Sequence, residues 1–128
     1  MTAQIPVVVA GALGRMGAEV IRAIQGAEDC TLVGAIDNTP GKEGCDVGLE
    51  LGLGELEVAV TADFEGCLCA VSQSVRDAEA GAVLVDFTHP SVVYDHTRAS
   101  IAYGVHPVIG TTGLSQQQLD DLTQFSAK

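Results

Sequence analysis

The sequence predicts an α/β fold, a parallel sheet with helices on both faces in a single domain. Three observations predict it. Short β-branched apolar runs recur along the chain, turn residues close each of them, and stretches with helical spacing fall between them. The length of 128 residues suits one domain. Apolar residues make up 47 % and charged residues 18 %, a globular rather than a disordered balance. Trp is absent and aromatics are only 4 %, so the core must be aliphatic.

Each element has its own signal. Ile5-Pro6-Val7-Val8-Val9-Ala10 reads as a strand buried on both faces, hence central and parallel. A glycine turn starts at Gly11. A helix follows, with Met16, Val20 and Ile24 on one side together with Gly17 and Ile21. Arg15, Glu19 and Arg22 fall on the other. Gly26 ends it. Thr31–Ile36 is the second strand, stopping at Asp37, which completes a βαβ unit.

Residues 38–56 carry Gly41, Gly44, Gly48, Gly52 and Gly54 and read as a mobile surface loop with one short helical turn. Glu57–Val60 reads as a short strand. Cys67–Val71 fits a strand or the end of a helix, and Gln73–Ala80 a polar connector. Ala82–Phe87 is a further buried strand. Pro90 opens a helix through Val93, Thr97 and Ile101, with Thr88 or His89 as its cap and Gly104 as its stop. Val105–Gly110 is another strand. Ser115 to Gln118 forms a capping box, with Leu114 and Leu119 as its staple. Leu119, Leu122 and Phe125 give that helix its apolar face.

Charge narrows the function. Six basic residues against 17 acidic ones give a net charge of −11. Such a body repels nucleic acid and anionic membranes. A phosphate ligand must therefore be held by local backbone donors or by a placed cation. The first four residues lack Lys and Arg, Pro6 interrupts the apolar stretch, and no run reaches a membrane span, so a cytoplasmic location is expected. Cys30, Cys45, Cys67 and Cys69 form no CxxC and read as free thiols. His89, His96 and His106 are not spaced as a metal site. No GxSxG or P-loop signature occurs.

The strongest motif is Gly11-Ala12-Leu13-Gly14-Arg15-Met16-Gly17 between strand and helix. Gly11 permits the tight turn, Gly14 lets a pyrophosphate approach the backbone, and Gly17 lets the helix pack closely. The helix start then offers free N–H groups and a positive dipole end to phosphates. The spacing is GxxGxxG rather than the commoner GxGxxG. Asp37, twenty residues beyond Gly17 and at the end of the next strand, can accept hydrogen bonds from ribose hydroxyls. The fold expected is thus a Rossmann-type sheet.

Two further segments lie just past strands, at the carboxyl edge where such sheets bind ligands. In Gly110-Thr111-Thr112-Gly113 the glycines allow close approach and the hydroxyls and N–H groups can bond a ligand. In Asp86-Phe87-Thr88-His89-Pro90 the rings of Phe87 and His89 suit an adenine. His96 reads as a surface or packing residue within a helix.

Together the three motifs resemble the amino-terminal signature of the dihydrodipicolinate reductase family. The matching runs are Val8–Gly17, Val85–Pro90 and Val108–Gly113, in that order. The resemblance implies a reductase of lysine and diaminopimelate biosynthesis that reduces a cyclic dicarboxylate with NADH or NADPH. It implies that Gly11, Ala12, Leu13, Gly14, Arg15 and Met16 hold the pyrophosphate and that Asp37 reads the ribose. Gly110, Thr111 and Thr112 sit by the nicotinamide, and Phe87 and His89 near the adenine.

Residues 1–128 then correspond to the family's dinucleotide-binding domain. The His-His proton-donating motif, its nearby Lys and the carboxylate-binding Ser-Gly-Thr of the family's second domain are absent from this sequence. That second domain is expected to mediate oligomerisation, and no catalytic residue is assigned here. Asn38 stands about where members that take NADPH well often carry a basic residue. Asp37 can accept a bond from a free 2′-hydroxyl and repels a 2′-phosphate, so NADH is expected to bind at least as tightly as NADPH. The alternative reading is a stand-alone NAD(H)-binding regulatory module without catalysis. A semialdehyde-dehydrogenase-like enzyme is disfavoured, because no Cys sits in a nucleophile context.

Overall fold

A computed structural model describes residues 5–74, 82–88 and 90–109. The elements run β1 (Ile5–Ala10), α1 (Arg15–Gln25), β2 (Cys30–Ile36), α2 (Val47–Glu50), β3 (Val60–Thr61), α3 (Phe64–Ser74), β4 (Val83–Asp86), α4 (Pro90–Ala102) and β5 (His106–Ile109). The strands form one five-stranded sheet in the order β3-β2-β1-β4-β5, and every pairing is parallel. The order reverses between β1 and β4, so the ligand crevice of such a sheet lies at the carboxyl end of β1.

β1 is central, and its alternating side chains feed two cores. Val7 and Val9 pack with Ile21 and Ile24 of α1 and with Val47 and Val60. Val8 and Ala10 pack on the opposite face with Leu68 and Val71 of α3 and with Leu84 and Val105. Pro6 fits a central strand because the Ile5 N–H donates to Asp29 on the β2 side. Pro6 therefore faces β4, where pairing begins only at Val7. Between Val7 and Val8 the β1–β2 register skips one residue, which brings Gly34 opposite Val8. A Cβ at Gly34 would stand 2.8 Å from the Cys67 sulfur, so α3 seats closely on the sheet only at this glycine.

Several expectations change. Cys67–Val71, which fits a strand or the end of a helix by sequence, lies within helix α3. The short strand expected at Glu57–Val60 starts at Val60 and is only two residues long. Met16 lies off the packing face of α1 and is 55 % exposed. Gly17, Ala18, Ile21 and Ile24 are the residues of that helix that are buried. The glycine-rich loop is built rather than mobile. Asp46 accepts the N–H groups of Leu49, Leu56 and Val58 at 3.0–3.1 Å, capping α2 and tying both limbs of the loop together. The Leu56 bond does most to hold its carboxyl below the usual carboxylate range, with Leu49 and Val58 adding to it against some burial. Val47 is fully buried beneath this hub. The expected capping box at Ser115 and its helix lie outside the described residues.

Candidate functional site

The turn after β1 is shaped by backbone contacts that only glycine permits. Gly11 adopts φ +81°. Its N–H and that of Ala12 both donate to Ile36 O, which joins the turn to β2. A Cβ at Gly17 would stand 2.1 Å from Gly11 O, so the first turn of α1 packs directly on the glycine turn. Gly17 therefore permits close helix approach, and the atoms nearest to its missing Cβ belong to the turn, at Gly11 and Ala12. Gly14 is the helix N-cap and supplies no capping side chain. Gly14, Arg15 and Met16 are exposed there. The Gly14 N–H donates to Gly11 O, so the N–H groups offered to an anion at this end are those of Arg15 and Met16.

Asp37 stands beside the turn and is bound to it. Its Oδ2 accepts the Leu13 N–H at 2.9 Å, and its Oδ1 accepts the Thr39 N–H at 2.9 Å and the Thr39 hydroxyl at 2.5 Å. The carboxylate is half-buried and lines a cleft of about 400 Å³ with Gly11, Ile36, Asn38, Ala62, Phe64, Thr88, Val92 and His96. The cleft opens at the carboxyl ends of β1, β2, β3 and β4.

The opposite wall rests on a second carboxylate. Asp86 ends β4 and is fully buried. Its Oδ1 accepts the Thr88 N–H at 2.9 Å and also the Thr88 hydroxyl. Its Oδ2 lies 3.1 Å from His96 Nδ1. Burial pushes the Asp86 carboxyl up, but the bonds with His96 and Thr88 outweigh it and hold the group below its ordinary value. An ionised carboxylate only accepts, so Nδ1 carries the proton and donates. The His96 ring then stacks on Phe64, with centroids 3.8 Å apart and planes 9° from parallel.

Sequence reasoning brought Gly11 and Asp37 to this cleft but missed Phe64, Val92 and His96. His96 is a packing residue, as expected, and also a cleft wall. Phe87 is not among the residues lining the cleft. Its N–H donates to Ala10 O, and its backbone lies 3.2 Å from where a Gly11 Cβ would stand. His89, Gly110, Thr111 and Thr112 lie outside the described residues. One signal could have found the missed network. An Asp-x-Thr step closes both β2 (Asp37, Thr39) and β4 (Asp86, Thr88), and each Thr turns back on its Asp.

A parallel sheet ordered 3-2-1-4-5, with a glycine turn and a strand-end acid at its reversal point, defines a Rossmann-type domain. The family model described as "Dihydrodipicolinate reductase, N-terminus" matches residues 5–128. The chain belongs to this family. A 4-hydroxy-tetrahydrodipicolinate reductase of Synechococcus sp. (strain CC9605) is 88 % identical over 128 residues, covering 100 % of this chain and 46 % of the relative. The chain thus spans about half the length of the curated relatives it matches. Among solved structures, the dipicolinate-bound dihydrodipicolinate reductase from Paenisporosarcina sp. TG-14 is similar at TM-score 0.69 and 27 % identity, covering 95 % of this chain and 43 % of that one. The WlbA (WbpB) dehydrogenase from Thermus thermophilus, in complex with NAD and UDP-GlcNAcA, shares the fold at TM-score 0.74 and 17 % identity. That match covers 97 % of this chain and 38 % of that one.

Proposed function

We propose that residues 1–128 form the NAD(P)H-binding domain of a 4-hydroxy-tetrahydrodipicolinate reductase, an oxidoreductase of lysine and diaminopimelate biosynthesis. The observation that carries this reading is one cleft lined by Gly11 of the glycine turn before α1 and by a strand-end carboxylate that is bonded to the same turn at Leu13. The residues fit the cofactor. The N–H groups of Arg15 and Met16 at the exposed helix start suit a pyrophosphate, Asp37 accepts a ribose hydroxyl, and the stacked Phe64 and His96 rings give the cleft a flat aromatic surface for adenine. When bound, the nicotinamide supplies the hydride.

This chain's own work is to hold and orient that group. Gly110, Thr111 and Thr112 complete its nicotinamide end by the family resemblance. The substrate-binding and proton-donating groups, and the oligomer contacts, belong to the part of the family's length not spanned here. The four free cysteines suit a reducing cytoplasm.

Calorimetric titration with NADH and NADPH tests the reading. Gly14→Val places a branched side chain at the pyrophosphate and should weaken binding about tenfold or more, with the fold kept by circular dichroism. Equal binding by parent and variant puts the pyrophosphate elsewhere. Addition of the cyclic substrate to this chain with NADPH should give no turnover, because hydride transfer also needs a positioned acceptor and a proton donor.

A further inference from the structure

A carboxylate offers about four acceptor positions, and protein groups take three of those on Asp37. Thr39 fills Oδ1 with its N–H and its hydroxyl, while Leu13 takes one position on Oδ2. What remains is one position on Oδ2, the oxygen next to the glycine turn. The carboxylate cannot rotate about Cβ–Cγ without breaking at least one of these bonds.

We propose that Thr39 is the positioning residue that sets cofactor choice, by locking Asp37 so that a single Oδ2 lone pair faces one ribose hydroxyl. The proposal rests on the reading that NAD(P)H occupies this cleft. Thr39 is exposed, so water would satisfy its hydroxyl equally well and burial does not compel the bond to Asp37. Thr39 is also absent from the cleft lining, whereas Asp37 and Asn38 belong to it. Its influence on a ligand therefore passes through Asp37.

The lock acts on both cofactors. A free 2′-hydroxyl finds an acceptor that is already oriented, which lowers the ordering cost of binding. A 2′-phosphate finds a negative charge that cannot turn away. Without the Thr39 hydroxyl, Oδ1 keeps only the Thr39 N–H, and the carboxylate, held by two backbone N–H groups in place of three donors, turns more freely toward water. NADH then loses a fixed acceptor and NADPH loses part of a fixed repulsion. Both changes move the affinity ratio in the same direction.

The test is titration of NADH and NADPH into this chain carrying Thr39→Val, Thr39→Ala or Thr39→Ser. In the Val and Ala variants the NADPH-to-NADH ratio of Kd values should fall about three- to tenfold, the size of one hydrogen bond. Thr39→Ser, which keeps the hydroxyl, should retain the parental ratio. A purely structural role would weaken both cofactors together and leave the ratio unchanged, and that result overturns the proposal. Loss of the ratio in Thr39→Ser overturns it as well. A parent chain that binds neither cofactor overturns the cofactor reading itself and the proposal with it. An unchanged ratio in chains that bind overturns Thr39's role alone.

Discussion

Asp37 and Asp86 end neighbouring halves of the sheet with the same local turn and differ in what their second oxygen does. Each gives Oδ1 to the N–H and hydroxyl of the Thr two residues on. Asp37 gives Oδ2 to the Leu13 N–H at the rim of the cleft and stays half-buried. Asp86 gives Oδ2 to His96 and is sealed from solvent. One motif thus serves two ends. Where the acid keeps a free acceptor and reaches the cleft, it can read a ligand. Where every partner is internal, it fixes a wall for others to use.

The contrast predicts unequal costs. Asp86→Ala strips a buried carboxylate from His96 and Thr88 and should destabilise the chain by about 2–4 kcal/mol. Asp37→Ala, at the rim, should cost about 1 kcal/mol or less. Urea unfolding of the two variants measures both, and equal losses would break the comparison. Next in size is cofactor choice. A fixed carboxylate near a 2′-phosphate costs about 1–3 kcal/mol at an effective dielectric near 20. Asp37→Asn should then narrow or invert a preference for NADH of about tenfold to a hundredfold. Arg15→Ala should weaken NADPH selectively, since Arg15 is the nearest cation in sequence to the turn. If the parent chain binds NADPH much more tightly, a cation from elsewhere outweighs Asp37.

The smallest effect is in acid. The folded Asp86 carboxyl titrates below its ordinary value. Its contribution is fully present above the unfolded value of about 4 and is lost as pH falls through the lower folded value. Thermal melts of the parent chain should therefore drop in this range, and those of Asp86→Asn should drop less. A parallel pair of curves would show that the His96 bond contributes nothing to stability.

Much of this was legible in the residues. The run Ile5–Ala10 is β1 to the residue, because a strand buried on both faces has no polar interruptions. The positive φ of Gly11, the close approach at Gly17 and the place of Asp37 beside the turn could be read because each is set within a few residues of a strand end or the turn. Met16 misled, since an apolar residue at helical spacing reads as core even when the helix start faces outward. Glycine-rich composition hid the loop's order, which comes from Asp46 bonds spanning ten and twelve residues. The Asp86–His96 contact also spans ten residues and depends on how α4 lies against β4, which no short window reveals.

The Asp46 hub also decides how far the chain can change length. Its bonds reach Leu49 on one limb and Leu56 and Val58 on the other, so the segment between them is pinned at both ends. Within it the Leu53 N–H donates to Gly48 O at 2.8 Å, and a Cβ at Gly48 would stand 2.1 Å from Gly54 O. Loop closure grows only logarithmically with length, about 0.6 kcal/mol per doubling. Chain entropy would thus tolerate extra residues here, but contact would not: an insertion must part Gly48 from Gly54 and lift Leu51 and Leu53 off the core, so the loop keeps its length as a spacer does.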